Sequence, residues 1–203
     1  MTDYIQRHLG LEAEAANAIR AAYWRRYGAT LPGLTRHHGI SAAHFLGETH
    51  ALPDLELRVR KNKVDIALLA KLPGRKFLLT NAPEAYAKRV LKAAGMTRVF
   101  EEVIAFEQMR MFGQDRSKPD PRMLRHVLAC RGLRAVDCVL VEDALINQKS
   151  AHALGLRTVW MQRWLLDRGE KRHGPEANHA LRRRPVYVSR RVRSLKELLR
   201  AGL

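Results

Sequence analysis

The sequence predicts an α/β protein: a helical N-terminal module followed by an open parallel sheet covered by helices. Three observations carry this reading. The first seventy residues show one helical pattern after another and no confident strand. After Gly74, short apolar runs alternate with amphipathic helical segments, the pattern of βαβ units. Those runs are near-continuously apolar rather than alternating, as expected where both faces of a sheet are covered.

Each element has a local reason. "LEAEAANAIRAAYWRRYG" has apolar residues at helical spacing and stops at Gly28. "TLPGLTRHHG" is a shorter piece punctuated by Pro32 and Gly39, and "SAAHFLGETHAL" has Ser41 as its N-cap. "DLELRVRKNKVDIALLAKLPG" reads as one helix running to Pro73-Gly74. Then come strand 76–80, a helix over 83–95 with Pro83 in its first turn and Gly95 past its end, and strand 103–106. Helix 120–132, strand 138–142, helix 146–155 and strand 157–162 follow. The segment 163–185 reads as a loop, "PVYVS" (185–189) as a last edge strand, and "SLKELLRAG" (194–202) as a closing helix. The expected division is a helical N-terminal module over 1–72 and an α/β module over 73–203.

A chain of 203 residues with 46% hydrophobic composition suits one globular domain, or one domain with a small insert. No apolar stretch approaches the roughly 20 residues of a membrane span, and the first twenty residues do not read as a signal peptide. A cytoplasmic protein is expected, with Cys130 and Cys138 as buried free thiols in apolar contexts. The formal charge of +17 raises the question of nucleic acid. Residues 163–203 hold 12 Lys and Arg against 4 Asp and Glu, so the tail is charge-dense. The remaining basic residues are spread along the whole chain, and none of these stretches interleaves them with aromatics. A solvated Arg-rich surface is the expectation, not a dedicated nucleic-acid partner.

In open α/β sheets, ligands gather at the carboxyl ends of strands. Three such ends hold polar residues. "LLTNAP" places Thr80 and Asn81 just before a helix N-terminus, where free N–H groups favour an anion; the plainer reading is that one of them caps the helix. "GQDRSKPDPRM" holds Lys118, biased towards an extended conformation by Pro119 and able to neutralise a phosphate; otherwise it is a surface lysine. "VLVEDALIN" ends a strand in Glu142-Asp143, with Asn147 a turn further on. A divalent cation relieves the conflict between adjacent carboxylates, and oxygen ligands suit magnesium. The plainer reading is an N-cap by Asp143 with an acidic first turn. Together, anion donors, a cation and a metal-binding acid pair fit phosphoryl transfer, where positioning and charge neutralisation dominate.

These residues resemble the haloacid dehalogenase superfamily of phosphatases. "FLLTNAP" resembles its second motif, "SKPDPRM" its third and "VLVEDALIN" its fourth. "YWRRYGATLPGLTRHHG", "TNAPEAYAKRVLKAAG" and "LGLRTVWM" are similar to its pyrimidine 5′-nucleotidase branch. The resemblance implies a Rossmann-like core under a helical cap and a Mg²⁺-dependent phosphate-monoester hydrolase acting on a small phosphorylated substrate, a nucleotide by the branch. It implies that Thr80 bonds the phosphoryl group with Asn81 beside it, that Lys118 neutralises charge, and that Asp143 binds magnesium supported by Glu142 and Asn147. His37, His38 and Tyr27 are candidates for a pocket lining, with surface roles the plainer reading.

One departure is large. The superfamily's first motif, an apolar strand ending in Asp-x-Asp, supplies a nucleophile and a general acid and base. Neither Asp3 nor Asp54 follows an apolar strand or has a second Asp two residues on. The expectation is therefore a nucleotidase-like phosphatase that is inactive as written. The alternatives are a non-catalytic module binding phosphate and magnesium, and a basic nucleic-acid-associated protein.

Overall fold

The computed structural model describes residues 1–163, 165, 183–200 and 202. They form two compact units: residues 1–62 with 75–119, and residues 63–74 with 120–203.

The first unit opens with helices α1 (Thr2–Leu9), α2 (Ala13–Tyr27), α3 (Thr30–His38), α4 (Ala42–His50) and α5 (Leu55–Arg58). Ser41 caps α4 as its sequence suggests, its hydroxyl accepting from the His44 amide. Tyr4, Ile5, Ala16, Leu34, Phe45 and Phe106 are buried together at the centre of this unit. The α2–α3 crossing is tight. A methyl group on Gly33 would sit 2.2 Å from the Tyr23 ring. Arg89 lies on the later helix of this unit and grips Glu56 of α5 through Nε at 2.8 Å and Nη2 at 2.9 Å. This grip holds the Glu56 carboxyl down to about 2. A depressed carboxylate stabilises the fold above its unfolded pKa, so this contribution fades as pH falls towards 2.

Strands β1 (Phe77–Leu79) and β2 (Glu102–Ile104) pair in parallel, with Phe77 opposite Glu102 and Leu79 opposite Ile104. Helix α7 (Glu84–Ala94) crosses between them and ends at Gly95, whose φ of 75° is the left-handed cap that glycine adopts without strain. Helix α6 (Lys63–Lys71), between α5 and β1 in sequence, belongs to the other unit. A hairpin of β3 (Arg110–Met111) and β4 (Gln114–Asp115) turns at Phe112-Gly113, both at positive φ.

The second unit carries a three-stranded parallel sheet of β5 (Val139–Glu142), β6 (Arg157–Met161) and β7 (Arg190–Val192), with β6 central. Helices α8 (Pro121–Ala129), α9 (Leu145–Ala153) and α10 (Leu195–Arg200) accompany it. Val159, Val192 and Leu198 are buried together against Leu72 and Val139. Asp65 of α6 meets Arg163 at 2.6 Å.

The α/β class is as the sequence reads: a helical N-terminal segment followed by parallel βαβ units. Three details differ. The single helix expected over 54–72 breaks after Arg58, where Val59 turns extended and Arg60, Lys61 and Lys63 crowd like charge. The last strand lies at 190–192 rather than 185–189. Pro185 offers no N–H to a ladder, the Val188 amide turns back to the Pro185 carbonyl, and Val186 is almost fully exposed. Both thiols are free, but Cys130 is exposed at the end of α8 and only Cys138 is partly covered; burial pushes the Cys138 thiol up. Most of the expected loop over 163–185 lies outside the described residues. Among the described residues, no helix is long and apolar enough to cross a membrane.

Overpacking of a tight core costs about 1–3 kcal/mol. Gly33→Ala should therefore lower the thermal midpoint by several degrees, because Tyr23 has to move, while Gly47→Ala, which meets open space, should not. Differential scanning calorimetry of the two variants checks this.

Candidate functional site

The first unit places its candidate residues at the carboxyl end of β1. The Thr80 amide continues the ladder to the Ile104 carbonyl at 2.9 Å, so the strand holds its register up to the site. Thr80 Oγ1 accepts from the Ala82 amide at 3.1 Å, which leaves its own hydrogen able to donate. Asn81 is committed differently. Its Oδ1 accepts from the Lys118 amide at 2.9 Å and its Nδ2 donates to the Lys118 carbonyl at 3.1 Å. Both backbone groups of Lys118 are thus held by one side chain 37 positions away. Neither Thr80 nor Asn81 caps α7, whose N-cap is Pro83. The anion-favouring amide of Glu84 at that helix start is taken by the Glu107 carboxylate at 2.9 Å. Gln108 holds Glu84 in turn, at 3.0 Å.

Beside Thr80 and Asn81 lies a cavity of about 180 Å³ within the same unit. Ser117 lines it with them, and its opposite wall comes from the N-terminal helices through Leu31, Phe45 and His50. The lining is mostly apolar at the helices and polar at the strand end. Burial lowers the His50 pKa, so its ring favours the neutral form. Tyr27, His37 and His38 do not line this cavity: Tyr27 bonds His37 and Tyr23 bonds His38, each at 2.7 Å in exposed positions.

The second unit carries the acid pair. Glu142 ends β5 and its Oε1 accepts from the amides of Asp143 and Ala144, at 3.2 and 3.3 Å. Asp143 is exposed and is not the N-cap of α9; that position is Ala144. Two residues outside the sequence reading fix this strand end. Gln148, fully buried, donates from Nε2 to the carbonyls of Glu142 and Val159, both at 2.7 Å. The Trp160 indole donates to the Asp143 carbonyl at 2.9 Å. The only sequence signal for Gln148 is a polar residue on the inward side of a short helix; Trp160 gives none beyond a large aromatic in a strand.

The donor set of this strand end suits a hard cation. It offers two carboxylates and Asn147 Oδ1, a buried oxygen with no hydrogen-bond partner among the described residues. An unpaired buried polar atom costs about 1–3 kcal/mol. A magnesium ion accepts oxygen ligands of these types.

Asn81→Ala should release Lys118. The expected result is faster amide hydrogen exchange at Lys118, by at least tenfold, with Thr80 little changed because its amide is held by the ladder. Site-resolved exchange by NMR reads both.

Comparisons with known proteins bear on the family and the fold. A family model described as haloacid dehalogenase-like hydrolase matches residues 3–155. A plasmid-encoded phosphoglycolate phosphatase from Cupriavidus necator is 30% identical over 91 residues, 45% of this chain. The matched region spans 37% of that relative's length. Among solved structures, a HAD phosphatase from Thermococcus onnurineus superposes with a TM-score of 0.55 at 18% identity, covering 98% of this chain and 85% of the other. An L-2-haloacid dehalogenase from Xanthobacter autotrophicus gives 0.52 at 22% identity, covering 78% and 71%. At these identities the structural matches speak for the fold alone. With three quarters of its length under the family model, the chain belongs to the haloacid dehalogenase-like hydrolases.

Proposed function

We propose that this chain carries the substrate-holding and metal-holding residues of a magnesium-dependent phosphate-monoester hydrolase, without the residue that attacks phosphorus. The observation that supports this best is the strand end of β1. Thr80 has a hydroxyl hydrogen to donate, and Asn81 fixes the Lys118 backbone against the same strand end. In this reading Thr80 donates to a phosphoryl oxygen, Lys118 neutralises its charge, and Asn81 is a positioning residue. Asp143, Glu142 and Asn147 hold magnesium, which when bound neutralises charge on the phosphoryl group. Residues 1–72 act as a cap and 73–203 as the core. The family resemblance assigns both sets of residues to one reaction.

The substrate in this reading is a small phosphate monoester. Resemblance within the sequence favours a pyrimidine mononucleotide; the curated relative is a phosphatase of phosphoglycolate, a much smaller acid. The cavity beside Thr80, with its apolar helical wall, suits a compact organic group attached to the phosphate.

No two aspartates in the sequence stand in an Asp-x-Asp arrangement. Removing the nucleophile from a hydrolase whose members act as a unit costs on the order of 10⁶ in rate. We therefore expect the 203-residue chain to bind phosphate and magnesium but to turn over no substrate. A version extended at its N-terminus through an apolar strand ending in Asp-x-Asp should be active. Phosphate release from pyrimidine mononucleotides and from phosphoglycolate, with magnesium, compares the two. Magnesium titration of the short chain should be weakened by Asp143→Asn. Full turnover by the short chain would place the nucleophile elsewhere and overturn the proposal, and identical magnesium isotherms for the two forms would remove Asp143.

A further inference from the structure

Away from the strand ends, three side chains from two helices converge: His8 in the last turn of α1, and His44 and Glu48 one turn apart on α4. One ligand-competent atom from each lies within 4.8 Å of the other two, and all three residues are exposed. His44 Nε2 is already 3.1 Å from Glu48 Oε1. The two imidazole rings meet edge to face at 5.0 Å.

Tyr4 orients both rings. His8 Nδ1 lies 2.9 Å from the Tyr4 carbonyl oxygen. A carbonyl only accepts, so this nitrogen carries the proton and Nε2 carries the lone pair. His44 Nδ1 lies 2.7 Å from the Tyr4 hydroxyl, which leaves its Nε2 on the side of Glu48. Tyr4 itself is 2% exposed and stacks on His8 at 3.9 Å. A buried residue thus holds two exposed imidazoles by their Nδ1 atoms. Metal-binding histidines are held in this way, the second nitrogen fixing tautomer and ring orientation.

We propose that His8, His44 and Glu48 bind a zinc-class divalent cation that clips α1 to α4. Two imidazoles and a carboxylate match zinc, whereas magnesium and calcium take oxygen ligands. Ligand atoms of a tetrahedral zinc stand about 3.4 Å apart at the usual bond lengths. The three ligand atoms, now within 4.8 Å of one another, would draw together on binding. Arg7 pairs with Glu48 Oε2 at 2.8 Å. This leaves Oε1 towards His44. The site shares no residue with the acid pair of β5, and it does not depend on the phosphatase reading. Both helices it joins contribute to the buried cluster of the first unit, and α4 supplies Phe45, Leu46 and His50 to the cavity wall.

The test is zinc titration of the tag-free 203-residue chain by calorimetry, paired with thermal denaturation. One equivalent should bind and raise the thermal midpoint, and excess magnesium should not displace it. His8→Gln and Glu48→Gln should each weaken binding at least tenfold and remove the thermal gain. Tyr4→Phe, which deletes only the hydroxyl on His44, should weaken it about tenfold. Arg7→Gln should retain or strengthen binding, because Arg7 only competes for the carboxylate. A His37→Gln/His38→Gln double variant should behave as the parent. Unaltered zinc binding in a His8→Gln/His44→Gln double variant, with circular dichroism matching the parent, would overturn the site. So would loss of zinc in Arg7→Gln alone.

Discussion

The first unit depends on how the end of β1 is held. One strand of three residues positions Thr80 through a single ladder bond and hands its register to Asn81. Asn81 then uses its whole amide on the backbone of Lys118. A primary amide facing a peptide's N–H and C=O makes two bonds in one geometry, so it fixes position and direction together. Without that pair, a strand this short would bring a threonine and a lysine together only loosely. At the neighbouring helix start the Glu107 carboxylate already takes the Glu84 amide.

The acid pair of β5 follows the same logic with different residues. Gln148 fastens the carbonyl at the end of β5 and that of Val159 within β6, and Trp160 fastens the Asp143 carbonyl from the neighbouring strand. Glu142 gives one oxygen to the turn that follows, which marks it as support for Asp143 rather than its equal. The Asn147 oxygen is one of three buried side-chain oxygens on α9 without a hydrogen-bond partner among the described residues, with Gln148 Oε1 and Ser150 Oγ; a cation or another donor would remove its cost.

Much of this was legible in the sequence. Apolar runs with glycine and proline punctuation mark the parallel strands and the helices between them because burial on two faces requires such composition. The polar residues at strand ends stand out because they interrupt those runs. What was not legible depends on distance. Asn81's partner lies 37 residues away, and nothing in "TNAP" distinguishes a backbone clamp from a helix cap. Gln148 and Trp160 look like ordinary core residues until the carbonyls they meet are known. The break at Val59 and the shift of the last strand past Pro185 turn on charge crowding and on a missing amide, effects that helical or strand periodicity overlooks. The convergence of His8 with His44 and Glu48 is likewise a matter of packing between α1 and α4.

The central claim is that the end of β1 receives phosphate. The most direct measurement is a titration of inorganic phosphate into the isotopically labelled chain, followed by amide chemical shifts. Saturable shifts are expected at Thr80, Asn81, Ala82 and Lys118, abolished by Lys118→Met. Shifts confined to the Arg-rich segment beyond residue 163, or none at the strand end, would contradict it.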